Sequence, residues 1–423
     1  MERDIRLDCT PSRQRLPALS EEQVLYLLVE LLPAHGEGGE IRLPLDICLV
    51  LDCSSSMRGD RLHQAKEAAR YIVGQLTPED YFCLITFNDR ATVTVPRQPV
   101  QTPAAIRAHI EEVQASGGTE MGRGLEQALE QMFRVVAFSG VRRLILLTDG
   151  QTYGDEQRCV ELARKAQEAG IGLTALGLGS EWNEDLLSTM AAHGNSRSEY
   201  IAGEEAIVPL FQEEMRLLQG IVAQEMALTL QPAAQVQVQH LFRVSPEIAP
   251  LPLHETWEKG FEVPLGEWLG VQPQVFLAEL VLPPLSPGQY RLLHLSFSYR
   301  LPRERVRRRE EYDLALPCLA EKVDDGVPDK VRRALEKVTA YRLQEQAWQE
   351  IRRGHLEQAT RRLASVITRL VQMGEEELAR KIEEETRRLQ RTGQTSAAGK
   401  KEIRYSTRRL GRHGVEPKET GAR

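Results

Sequence analysis

Nowhere in the 423 residues is there a run of about 18 uncharged apolar residues, the length a membrane-spanning helix requires, so a membrane span is excluded. The opening stretch, MERDIRLDCTPSRQRLPALS, is broken by charges throughout and lacks the apolar centre of a secretory leader, which predicts a cytoplasmic protein. Cysteine is sparse. Cys9, Cys48, Cys53, Cys83, Cys159 and Cys318 show no CxxC spacing and several stand in apolar runs, so they are expected as reduced, mostly buried thiols. Nine histidines occur without HExxH, which leaves a zinc hydrolase without support. There is no excess of basic charge either: 54 Lys and Arg against 61 Asp and Glu give −7, which argues against a nucleic-acid partner.

What is present is a globular balance, 41% hydrophobic and 27% charged, over a length that predicts two or three domains. Across residues 45–219, short apolar runs alternate with amphipathic segments, the pattern of βαβ units. DICLVLD, YFCLITF, RLILLTD and GLTALGLG are near-continuous apolar runs, as a parallel sheet covered on both faces requires. The helices between them are expected near 60–76, with Asp60 as N-cap, then 103–115, 121–136, 156–169, 183–192 and 207–219. The last of these runs directly into the next domain at Gly220, and Val208, Leu210, Phe211, Met215 and Leu218 mark its packing face.

From 220 to 317 the pattern becomes apolar alternation separated by Pro and Gly clusters, which reads as a β-sandwich. Residues 21–34, EEQVLYLLVELLPA, have strand character and no evident neighbour, although a short helix is the alternative. As a strand they would pair with the later strands, so that 21–44 and 220–317 form one sandwich with 45–219 inserted, while 1–20 is a plain N-terminal segment. After Pro328 the chain is charged and helical. Residues 328–392 read as a three-helix bundle, weakly tetratricopeptide-like, with Gly354, Gly374 and Gly393 as stops. Residues 393–423 carry eight basic and three acidic residues and are expected as a flexible basic tail.

At the carboxyl end of the first inserted strand stands LDCSSSM, in which Asp52, Ser54 and Ser56 alternate. Open α/β sheets place their ligands at such ends, and one carboxylate with two hydroxyls is a set of hard oxygen donors suited to Mg²⁺. DxSxS alone arises by chance in roughly one chain in ten of this length, so its context decides. A second loop, SGGTEMGRGL, offers Thr119, and a third, LLTDGQT, offers Asp149 at the end of another buried strand. Cys53 inside the motif reads as a small side chain packed under the loop, Asp89 as a surface turn, and Asp155 with Glu156 as a helix cap. The glycine-rich loop lacks GxxxxGK[ST], which excludes a phosphate loop.

With Asp52, Ser54, Ser56, Thr119 and Asp149 in this order on these loops, residues 45–219 resemble the von Willebrand factor A domain and its metal-ion-dependent adhesion site. The resemblance implies a doubly wound, Rossmann-like α/β fold inserted in the β-sandwich and followed by the helical region. It also implies a bound Mg²⁺ or Mn²⁺: Ser54 and Ser56 as direct ligands, Thr119 direct or through water, Asp52 and Asp149 mostly through water. An Asp or Glu of a protein partner would complete the coordination. The reading is therefore a non-enzymatic, metal-dependent protein-binding module. Its alternatives are an adaptor subunit of a MoxR- or chelatase-type AAA+ ATPase system and a metal-dependent phosphatase. The last is disfavoured because position 54 is Ser where that chemistry uses DxD.

Overall fold

The computed structural model describes residues 5–33, 42–134, 138–152, 154–191, 196–256, 260–269, 272–302, 304, 306–321 and 325–412. The expected element ends at Ala34, Val136 and Ala192 and the tail beyond 412 lie outside the described residues. The chain divides into two compact units, Gly39–Gln224 with Pro302–Glu304, and Met1–Gly38 with Glu225–Leu301 and Arg305–Arg423.

The chain opens with β1 (Ile5–Pro11), β2 (Leu16–Pro17) and β3 (Gln23–Pro33). The α/β unit follows as β4 (Leu45–Asp52), α1 (Asp60–Gln75), β5 (Tyr81–Phe87), β6 (Ala91–Pro99), α2 (Pro103–Glu111) and α3 (Met121–Phe133). It continues through β7 (Val141–Thr148), α4 (Glu156–Glu168), β8 (Gly172–Leu178), α5 (Glu184–Met190), β9 (Arg197–Ile201) and α6 (Ile207–Gln219). Its sheet has the order β6-β5-β4-β7-β8-β9 and is parallel except for β6. Every residue of β4, β7 and β8 is buried, which is why those strands read as near-continuous apolar runs rather than alternating ones, the buried charges Asp46, Asp52, Arg142 and Arg143 excepted.

Strand β4 is followed by β5 on one side of it while β7 and β8 continue on the other, so the carboxyl ends of β4 and β7 flank the point where strand order reverses. This is the crevice in which open α/β sheets bind ligands. The two edge strands β6 and β9 were not among the four expected. ATVTVPRQP alternates and contains proline, the signature of an edge rather than of the covered interior. A second difference is at α1: Asp60 is its first residue, and Gly59, at φ +83°, takes the cap position.

The other unit contains two sheets. One is β1-β3-β15-β11-β12, with β11 (Gln237–Ser245), β12 (Ala249–Pro250) and β15 (Gln274–Leu282). The other is β13-β14-β10-β16-β17-β2, with β10 (Ile221–Pro232), β13 (His254–Glu255), β14 (Phe261–Leu269), β16 (Gly288–Arg300) and β17 (Arg307–Leu319). EEQVLYLLVELLPA is a strand, β3, antiparallel to β15 from Gln23↔Leu282 to Leu31↔Gln274. It does have an early neighbour, for β1 pairs with it from Ile5↔Pro33 to Pro11↔Leu27. The N-terminal segment is thus built into both sheets, β2 joining β17. The alternation of Ile5, Leu7 and Cys9 with Arg6, Asp8 and Thr10 carries that signal.

The helices are α7 (Asp329–Arg352), α8 (Leu356–Gln372), α9 (Glu376–Thr392) and a fourth, α10 (Ala397–Arg409). Their apolar stripes, including Val331, Trp348, Leu363, Leu370, Ile382 and Leu389, form one core with Leu28, Phe242, Val244 and Leu277 of the five-stranded sheet. Gly393 ends α9 in the left-handed conformation, a position that favours a residue without Cβ.

Helix α10 corrects the expectation of a flexible basic tail for 397–409. Ser396 caps it by accepting from Gly399 N–H at 2.9 Å, and Ile403, Tyr405 and Leu410 are buried. Its charged residues are partners rather than a solvated run: Arg404 grips Glu345 at 2.9 and 3.0 Å, and Glu402 accepts from Lys381 of α9 at 2.6 Å. Because Ile403 is enclosed by this core, Ile403→Ala is expected to lower stability by about 2–5 kcal/mol, read as a shift in the denaturation midpoint at unchanged slope.

Candidate metal centre

Asp52 closes β4 and is fully buried. Its Oδ1 accepts the backbone N–H of Ser54 at 2.8 Å, and its Oδ2 accepts the hydroxyl of Thr148, the last residue of β7, at 2.7 Å. Ser54 Oγ lies 3.0 Å from Ser56 Oγ, and Ser56 Oγ donates to Asp149 Oδ1 at 2.7 Å. The structure therefore links Asp52, Ser54, Ser56 and Asp149 in one chain of hydrogen bonds across β4 and β7. Thr119 comes to the same edge: a Cβ added at Gly150 would stand 3.3 Å from Thr119 Oγ1.

Backbone bonds between loops hold this geometry. Cys53 N–H donates to Phe87 O, Ser116 N–H to Cys53 O and Ser55 N–H to Gly117 O, all within 3.0 Å. Cys53 sits buried beneath the motif, its Sγ toward Phe87 O, and burial pushes its thiol up to about 11, so it is protonated and unreactive at neutral pH. Asp89 lies in an exposed turn and ties two loops together, since its Oδ1 accepts Gly118 N–H at 2.9 Å. Gly117 is at φ +76°, and a side chain there would collide with the Asp89 carboxylate, so both the torsion and the space call for glycine.

Asp155 departs from expectation. It stands before α4, yet its side chain makes no bond to that helix; it accepts Gly122 N–H at 2.7 Å and the Thr152 hydroxyl instead. Thr152 Oγ1 in turn accepts Met121 N–H at 3.1 Å. Asp155 and Thr152 thus fasten the Thr119 loop to the Asp149 loop, a role that local sequence does not reveal because the partners lie over 30 residues apart. Thr148 and Arg61 are the other participants absent from the motif. Arg61 Nη1 donates to Asp149 Oδ2 at 2.6 Å.

Burial raises the Asp52 carboxyl from 3.8 to about 6, against the hydrogen bonds from Thr148 and Ser54 and with the help of the Asp149 charge. Two enclosed carboxylates beside three hydroxyls make a hard oxygen set that fits a divalent cation. Among the described residues no group of three or more His, Cys, Asp or Glu could hold a metal ion; the donors gathered here are two carboxylates and hydroxyls.

Comparison with known proteins agrees with this architecture. Residues 46–213 match the family model of the von Willebrand factor type A domain, and residues 329–413 match the Sll0103-like, C-terminal alpha-helical domain. That second match covers α10 as well as α7 to α9. The uncharacterized protein sll0103 of Synechocystis sp. is 32% identical over 273 residues, 64% of this chain and 64% of its own length. The uncharacterized protein YfbK of Escherichia coli is 28% identical over 214 residues, 49% of this chain and 37% of its own. The chain thus spans less than two thirds of both relatives. A solved structure, the von Willebrand factor type A protein from Catenulispora acidiphila, superposes with a TM-score of 0.79 at 17% identity, covering 96% of each chain, which establishes the fold. Residues 46–213 accordingly have the Rossmann-like α/β fold of the von Willebrand factor type A domain, whose family model they match, and a C-terminal helical region that matches the Sll0103-like domain follows over 329–413.

Proposed function

We propose that this chain is a non-enzymatic, cytoplasmic binding module that captures an Asp or Glu of a protein partner through a divalent cation, Mg²⁺ or Mn²⁺, at Asp52, Ser54, Ser56, Thr119 and Asp149. The observation that carries the reading is the hydrogen-bonded chain from Thr148 through Asp52, Ser54 and Ser56 to Asp149, with Thr119 alongside, at the strand-order reversal. Both Asp52 oxygens are already accepting bonds, which suits a carboxylate that supplies charge at a distance rather than direct ligation. Ser54, Ser56 and Thr119 are then the ligating hydroxyls. A bound cation supplies a coordination position open to an external carboxylate. The six unpaired cysteines support a reducing compartment.

The test joins calorimetric titration of the full chain with Mg²⁺ and Mn²⁺ to affinity capture from native cell extract with and without EDTA. One cation per chain and a partner retained only without EDTA are expected. Saturating Mn²⁺ producing no heat and no change in unfolding temperature would refute the metal centre. Capture indifferent to EDTA would refute the metal-dependent mode of binding.

A further inference from the structure

The first turn of α1 follows the DxSxS loop so closely that Arg61 folds back over it. Its Nη1 donates to Asp149 Oδ2 at 2.6 Å while Ser56 Oγ donates to Oδ1 at 2.7 Å, so both oxygens of that carboxylate are engaged. The far side of the guanidinium lies near the turn after β8, where a Cβ added at Gly179 would be 3.7 Å from Nη2. The two partners differ in freedom. The Asp149 side chain is wholly enclosed, whereas that of Arg61 is 38% exposed and sits on a long flexible stem that can carry its charge out to water.

A guanidinium and a divalent cation draw on the same negative charge. Two cations a few ångströms apart repel each other, and the repulsion grows where water is excluded. We infer that Arg61 is a resident competitor of the divalent cation: it neutralises Asp149, must release Asp149 Oδ2 as the cation loads, and so lowers metal affinity. This rests on the cation-binding reading above and adds what that reading lacks, a control of occupancy built into the chain. The centre then fills in proportion to free metal instead of being permanently loaded, and partner capture follows metal concentration.

The experiment titrates Mn²⁺ into the full-length wild type, Arg61→Gln and Arg61→Lys by calorimetry, and follows thermal unfolding of each in EDTA and in saturating Mn²⁺. Arg61→Gln is expected to bind Mn²⁺ about tenfold more tightly. In EDTA it unfolds at a lower temperature than wild type, because enclosed Asp149 has lost its counter-charge, and Mn²⁺ closes or reverses that gap. Arg61→Lys keeps the charge but grips the carboxylate less firmly, so it tightens by a smaller factor and gives the same reading should the glutamine variant fail to fold. A merely structural arginine would lower the unfolding temperature equally with and without metal. Wild-type binding that is unchanged or weakened in both variants overturns the inference and leaves the metal centre standing. No Mn²⁺ binding by any of the three proteins overturns the centre and the inference together.

Discussion

Asp52→Asn is expected to abolish divalent-cation binding and at the same time to make the metal-free protein more stable at neutral pH. The substitution keeps the shape of a fully buried side chain. The asparagine oxygen accepts Ser54 N–H as Asp52 Oδ1 does, and its amide can donate to Thr148 Oγ1, which reverses the present direction of that bond. What disappears is the charge. Burial raises the Asp52 carboxyl to about 6 from 3.8, so the folded chain holds this proton to higher pH than the unfolded chain does. The sign follows: below about pH 4 both states are protonated and there is no penalty, and between about 4 and 6 stability falls as pH rises. Above 6 the full penalty is present, at most roughly 3 kcal/mol for a shift of this size. Denaturant unfolding in EDTA should show that decline in the wild type and not in Asp52→Asn. Adding Mn²⁺ should stabilise the wild type alone. A variant that still binds Mn²⁺ would remove Asp52 from the centre. A wild type with no decline between pH 4 and 6 would mean that its carboxylate carries no burial penalty.

The second large effect lies beneath the sheet's last helix. Glu214 of α6 is buried between Arg143 of β7, Arg197 of β9 and Thr174 of β8, whose hydroxyl donates to Oε1 at 2.7 Å. Burial alone would raise its carboxyl, but the charges of Arg197 and Arg143 and the Thr174 bond outweigh burial and hold it below the usual range. Glu214→Ala leaves the enclosed Arg143 without this counter-charge, and the expected cost is about 3–5 kcal/mol. The stabilisation from the lowered carboxyl is present above the ordinary glutamate range and is lost as pH falls through its depressed value, the opposite dependence to that of Asp52. Denaturant midpoints of wild type and variant at pH 7 and pH 4 check both points: the gap should be wide at pH 7 and narrower in acid. A gap under 1 kcal/mol at pH 7 would show that the triad adds no net stability. The triad bears on motion too. Of the face expected for α6, Phe211, Met215 and Leu218 are buried while Val208 and Leu210 are only half-buried, and any slide of the helix along the sheet must also break an ion pair formed out of water.

The α/β segment and the five candidate metal-centre positions are legible in the sequence because their signals are local. Fully buried parallel strands must be predominantly apolar, helices must repeat near 3.6, and DxSxS, Thr119 and Asp149 each sit at the end of an apolar strand or the start of a helix. Strand β3 is legible for the same reason. Only the tertiary structure decides the rest, since it depends on which charge meets which. Arg61 reaches Asp149 across 88 positions, Arg404 reaches Glu345 across 59, and Glu214 of a helix gathers arginines from two strands. An arginine looks the same in sequence whether it is solvated or paired, so the 397–409 segment reads as a loose basic tail until folding brings its partners within 3 Å. Apolar periodicity thus determines where helices and strands form, because burial of a face is a property of the segment itself. Ion pairs and the fastening of loops belong to the assembled fold, because their energy depends on distance and on exclusion of water, and neither exists before the chain is packed.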